Sequence, residues 1–192
     1  MKDSEFLRAE KVPMTKQEVR TIVLDKLQLD SASRFVDVGA GTGSIALEAA
    51  LRHQQLHVYA IEKNDYAVDA MLQNMERLGC NHIHLINQKA PCELTGKFDA
   101  VFVGGSGGNL EDIIDWSLNH LLEGGRLVMT FILHGSLNQA LNHLQKCHID
   151  DFDCSQIQVS SLTSLGSSYY FKPNNPTFIV SCTKGNQRHG EL

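Results

Sequence analysis

Apolar runs of strand length alternate along this chain with stretches whose apolar residues recur every three or four positions. Short connections separate them, which is the pattern of an α/β sheet covered by helices on both faces. A first helix is predicted over 15–27. It opens with Thr15-x-x-Glu18, the spacing of a capping box, and carries Val19, Ile22, Val23 and Leu27 on one face. Strands are predicted over 34–38, 57–61, 83–86, 98–103 and 126–133. Helices fall between or after them over 44–52, 66–78, 110–122 and 137–147, with Gly124-Gly125 turning the chain into the fifth strand. Two closing strands are predicted over 152–160 and 177–183. The connector between them, 161–176, is polar and holds Tyr169-Tyr170-Phe171, so it is read as a long functional loop. The chain is read as a single domain over 1–192, with an N-terminal arm over 1–14 and a frayed polar tail over 185–192.

The most informative interruption of this pattern is Val36-Asp37-Val38-Gly39-Ala40-Gly41-Thr42-Gly43-Ser44. Glycine at every second position lets the backbone curl against a ligand, and the next helix points its free N–H groups into the same space. A dinucleotide fingerprint needs its third glycine where this chain has Ser44; here that glycine comes one residue early, at Gly43. Asp37, two residues before the first glycine, would repel a pyrophosphate but suits a cationic head. S-adenosylmethionine carries an ammonium and a sulfonium and no phosphate. Glu62, at the end of the next strand, is placed to accept from both hydroxyls of a ribose.

Composition narrows the class further. The 192 residues are 42% hydrophobic and 20% charged, ordinary values for a globular domain with a substantial core. No apolar run reaches the length of a membrane span, and the N-terminal residues lack the apolar core of a signal peptide. Net charge is −5 with no block of like charge, which argues against non-specific binding to nucleic acid. The five cysteines form no C-x-x-C pair, so neither a disulfide framework nor a zinc site is read, and a cytoplasmic location is expected. The nine histidines show no metal-ligand spacing on a predicted helix, and no metal is expected.

Strands, glycine loop and acid together resemble the Rossmann-like methyltransferases that use S-adenosylmethionine. That resemblance spans nearly the whole chain and implies seven strands, the last antiparallel. A narrower likeness rests on Val12-Pro13-Met14-Thr15-Lys16-Gln17-Glu18-Val19-Arg20, the glycine segment, Val103-Gly104-Gly105-Ser106-Gly107-Gly108 and Phe171-Lys172-Pro173-Asn174-Asn175-Pro176, in that order. These resemble the decarboxylating cobalt-precorrin-6B methyltransferases of anaerobic cobalamin synthesis.

The resemblance implies cofactor contacts at Thr15, capping the first helix, at Gly39, Ala40, Gly41, Thr42 and Gly43 around the amino-acid end, at Glu62 on the ribose, and at the backbone of Ala90 beside the adenine. Relatives commonly carry an aspartate just before that alanine. This chain has Lys89, a donor only, which leaves the adenine to backbone groups or another acceptor. The resemblance also implies a carboxylate-rimmed tetrapyrrole substrate, a homotetramer, and a separate partner that methylates carbon 5. The Gly104–Gly108 segment exposes N–H groups able to form an anion nest. Tyr169, Tyr170, Lys16 and Glu18 are the titratable groups expected near the cleft, and none has a context that makes it catalytic. Two other readings stay open: a small methyltransferase acting on transfer RNA or another metabolite, and a non-catalytic module that binds S-adenosylmethionine.

Overall fold

The computed structural model describes residues 1–10 and 12–186. Five strands run parallel: β1 (Arg34–Val38), β2 (His57–Ile61), β3 (His84–Ile86), β4 (Phe98–Val103) and β5 (Leu121–Phe131). β6 (Ile149–Ile157) lies at the sheet edge. β7 (Ser160–Leu165) and β8 (Ser168–Pro173) form a hairpin of their own, and β9 (Thr177–Lys184) returns antiparallel between β5 and β6. The seven-stranded order is β3-β2-β1-β4-β5-β9-β6, so the expected sheet with its last strand antiparallel is present.

The connecting helices are α1 (Gln17–Leu27), α2 (Ser44–Arg52), α3 (Asp65–Leu78), α4 (Leu110–His120) and α5 (His134–Leu144). One sheet face carries α1, α2 and α3, where Val23, Leu27, Leu47 and Met71 close over Phe35 and Phe102. The other carries α4 and α5, with Ile113, Ile114, Ala140 and Leu144 against Val101, Leu127 and Met129. The central strands are buried on both faces, which is why β1 and β4 read as continuous apolar runs rather than as alternation.

Three expectations need correction. The capping box does not form: the residue before α1 is Lys16, no side chain caps the helix, and Thr15 lies outside it. The Thr15 carbonyl instead accepts from the buried Arg20 guanidinium at 2.6 Å. That guanidinium also donates to Glu48 of α2 at 2.5 Å and to the Met1 carbonyl at 2.7 Å, tying the N-terminal arm to both helices. Burial pushes the Glu48 carboxyl up, but bonds from the N-terminal ammonium, Arg20 and Arg52 outweigh it and hold Glu48 below the usual range.

The second correction is the connector before β9, which is the β7–β8 hairpin rather than a loop. Leu165 faces Ser168 across a two-residue turn in which Gly166 has φ +58°. A Gly-Ser pair between strand-forming runs is a hairpin signal, and glycine supplies the positive φ at little cost. Third, the tail is anchored where it is described. Gly185 is buried and donates to the His148 carbonyl at 3.1 Å, and the Asn186 carbonyl sits 2.6 Å from His148 Nε2. The rest of the expected tail, 187–192, lies outside the described residues.

Candidate active site

A cleft of about 560 Å³ opens at the carboxyl ends of β1, β2, β4 and β5. Parallel sheets place ligands there because the strand ends fan apart at the point where the connections reverse direction. Its inner wall is the turn after β1. Gly39 has φ +72°, and a Cβ on it would stand 2.7 Å from the Gly105 carbonyl oxygen and 2.8 Å from the Gly105 nitrogen. Two backbone loops, after β1 and after β4, therefore meet without a side chain between them. The Gly39 and Ala40 amides donate to the Ile61 carbonyl at 2.9 and 3.1 Å, fixing the turn against β2.

Two carboxylates face this turn. Asp37 is buried, and its Oδ2 accepts from the Ala46 amide at 3.1 Å while Oδ1 has no partner. Burial raises its pKa to about 7; the Ala46 bond opposes the rise and the charge of Glu62 adds to it. Glu62 is held by backbone alone, with Oε2 accepting from Gly41 and Oε1 from Lys63 and Asn64, each at 2.8 Å. Oε1 thus spends both lone pairs on backbone amides, and Oε2 keeps one free. The Thr42 hydroxyl is buried and also lacks a partner.

The structure brings seven of the eight expected contact residues to the lining: Thr15, Gly39, Ala40, Gly41, Thr42, Glu62 and Ala90. Gly43 does not line the cleft. Its φ of +85° serves the helix start, and a Cβ there would strike Met71 at 2.8 Å. Lys89 reaches the lining, with its ammonium donating to Asn109 Oδ1 at 3.2 Å. Of the four titratable groups expected nearby, Lys16 lines the cleft; Glu18, Tyr169 and Tyr170 do not.

The outer wall is made by Lys16, Lys63, Gly105, Ser106, Ile132, Asn174 and Asn175. Ile132 is exposed, and Asn174 is pinned by its amide to the Val159 carbonyl at 2.9 Å, at the foot of the hairpin. Asn74 was not foreseen. From the buried side of α3 it accepts from the Leu7 amide at 2.7 Å and donates to the carbonyls of Leu7 and Thr42 at 3.0 and 3.1 Å. It straps the N-terminal arm to the glycine turn. The available signal was a polar residue at helical spacing within the run Ala67, Met71, Met75.

These residues fit S-adenosylmethionine on their own chemistry. An unpaired buried carboxylate oxygen suits an ammonium, a backbone-held carboxylate with a free lone pair on Oε2 suits a ribose hydroxyl, and close-packed glycines admit a ligand to the strand ends. The sheet order and this cleft define a Rossmann-like methyltransferase fold.

Comparison with known proteins narrows that class. The model of the precorrin methyltransferase domain matches residues 7–184. A cobalt-precorrin-6B C(15)-methyltransferase (decarboxylating) of Salmonella typhimurium is 53% identical over 184 residues, covering 96% of each chain. Among solved structures, a precorrin-6y C5,15-methyltransferase from Geobacter metallireducens superposes with a TM-score of 0.89 at 30% identity, over 96% of this chain and 97% of that one. A precorrin 8W decarboxylase from Methanobacterium thermoautotrophicum gives 0.86 at 30% identity, over 94% and 98%. The chain belongs to the precorrin methyltransferase family.

Proposed function

We propose that this enzyme transfers a methyl group from S-adenosylmethionine to carbon 15 of cobalt-precorrin-6B and removes carbon dioxide from the acetate arm on carbon 12. The product is cobalt-precorrin-7, in anaerobic cobalamin synthesis. The observation that carries this reading is the 53% identity over nearly the whole length of the Salmonella typhimurium enzyme. The division of the cleft supports it: acids and glycines lie inside, and ammonium groups, amides and an apolar side chain lie outside.

S-adenosylmethionine, when bound, supplies a methyl group on a sulfonium with a good leaving group. Asp37 would accept from the amino-acid ammonium and Glu62 from the ribose, with the Ala90 backbone beside the adenine. Lys16 and Lys63, with the N–H groups of the Gly104–Gly108 segment, pair with the carboxylates that rim the macrocycle. Ile132 packs on the ring. The nucleophile is an electron-rich bridging carbon of the substrate, which needs no proton removed, so the protein's main work is alignment. Electrons left by the departing carbon dioxide flow into the conjugated ring, and a proton closes the carbon left behind.

The exposed Leu162, Leu165, Tyr169, Tyr170 and Phe171 of the hairpin support assembly as a homotetramer. The enzyme acts in the cytoplasm, beside a separate partner that methylates carbon 5. Among the described residues no helix is long and apolar enough to cross a membrane. The test is an anaerobic incubation with cobalt-precorrin-6B and methyl-labelled cofactor. The expected product gains one labelled methyl and loses one carbon dioxide by mass spectrometry. An unlabelled, unchanged corrinoid in a reaction where the cofactor binds would overturn the assignment.

A further inference from the structure

Behind the cleft, where α4 and α5 lie side by side, donors of three chemical types converge. An oxygen of Asp115, a ring nitrogen of His143 and the sulfur of Cys147 all lie within 4.8 Å of one another. Asp115 Oδ1 is 2.7 Å from His143 Nε2. Cys147 sits just past the end of α5, four residues after His143. The amides of Lys146 and Cys147 donate to His143 and Leu144 at 3.0 Å and carry the helical path on to the cysteine. His143 and Cys147 thus share one side of a helical turn.

The other side of the imidazole is also furnished. Glu111, one turn before Asp115 on α4, places Oε2 3.4 Å from His143 Nδ1, and its second oxygen accepts from Gln139 at 3.2 Å. Histidines that ligate metals characteristically direct their second nitrogen to a carboxylate, which fixes the ring and makes it a better donor. The Glu111–His143 contact supplies that arrangement, with Nε2 turned toward Asp115.

We propose that Asp115, His143 and Cys147 form a binding site for a divalent cation of the zinc class, with Glu111 orienting the histidine. A thiol in the set disfavours magnesium and calcium, which take oxygen donors, while nitrogen, sulfur and carboxylate donors together suit zinc. The Cys147 thiol donates its S–H to the His143 carbonyl, with the sulfur 3.4 Å from that oxygen. On binding, the sulfur–proton bond breaks, the proton passes to solvent, and a sulfur–metal bond forms. The dication then balances one thiolate and one carboxylate, and water fills the fourth position. The site staples α4 to α5 and does not depend on the methyl-transfer reading.

The test is titration of the pure, reduced, metal-free full chain with cobalt(II) chloride under anaerobic conditions, followed by absorbance. A thiolate-to-cobalt charge-transfer band saturating at one ion per chain, and displaced by zinc, is expected. Cys147→Ser and His143→Gln should each abolish it, with folding checked by circular dichroism. Cys154→Ser, which removes an exposed thiol elsewhere, should leave it intact. Glu111→Gln should keep the spectrum and weaken affinity about tenfold. Absence of a thiolate band in the unaltered chain, or a band that survives Cys147→Ser, would overturn the proposal.

Discussion

The glycine turn after β1 and the β7–β8 hairpin are both excursions from one sheet, yet their positions are fixed by different means. In the turn, contacts within the chain fix the backbone. Gly39 stands against Gly105, Glu62 takes three backbone amides, and Asn74 holds the Thr42 carbonyl. In the hairpin, eleven of the twelve strand residues are exposed, and the large apolar side chains face outward. The turn is pre-formed for a small ligand by contacts within the chain. The hairpin carries the apolar surface of an element that finishes packing against something else, which in the proposed assembly is another copy of itself.

The largest effect that separates the two regions is expected from Gly39→Ala. The new Cβ meets Gly105 backbone that cannot yield cheaply, at a φ that L residues rarely adopt. The cost is about 3 kcal/mol of stability, with cofactor binding lost. Chemical denaturation and titration calorimetry check both. Next comes the double substitution Leu162→Ser with Phe171→Ser, a cross-strand pair on the hairpin. Mass photometry should show the tetramer dissociating, while calorimetry shows cofactor affinity changed less than about twofold, within the ordinary scatter for distant sites. A hairpin change that abolished cofactor binding would erase the distinction between the two regions.

Glu62→Gln comes third. An amide keeps one acceptor oxygen where the carboxylate had two, so affinity for S-adenosylmethionine should fall about ten- to hundredfold, with about 1 kcal/mol of stability lost. The fourth prediction is a pH dependence with two opposite signs. The folded pKa of Asp37 is raised from 3.8 to about 7. Its contribution to stability is therefore fully present below the unfolded value and is lost as pH rises through the folded one. Cofactor affinity should run the other way, rising about tenfold between pH 6 and pH 8 as the carboxylate forms to meet the ammonium. In Asp37→Asn both slopes should vanish, which thermal unfolding from about pH 4 to pH 7 and calorimetry between pH 6 and pH 8 would register.

The same contrast governs what could be read from the chain. β1, β2 and β4 and helix α2 fall where the apolar pattern puts them, because parallel strands buried on both faces and the helix of a glycine turn are dictated locally. Gly39, Gly41 and Glu62 were legible for the same reason. Thr15 reaches the cleft lining but does not cap the helix. Its spacing to Glu18 satisfies a capping box, while the buried Arg20 claims its carbonyl and the helix starts two residues later. Gly43, a contact implied by the resemblance, lies outside the lining because its backbone and Met71 commit it to the helix start, which spacing does not reveal. The hairpin was missed because its outward apolar residues break the alternation that marks a strand on a core. Asn74 and the Asp115–His143–Cys147 cluster depend on tertiary neighbours, which spacing along one segment does not reveal.

The central claim is that the inner wall holds the cofactor and the outer wall holds the corrinoid. A crystal structure with S-adenosylhomocysteine tests it most directly. The amino group should lie within hydrogen-bond distance of Asp37 Oδ1, a ribose hydroxyl on Glu62 Oε2, and the sulfur toward the Gly104–Gly108 segment. A ligand seated against Ile132 and Asn174, with Asp37 Oδ1 still unpaired, would contradict it.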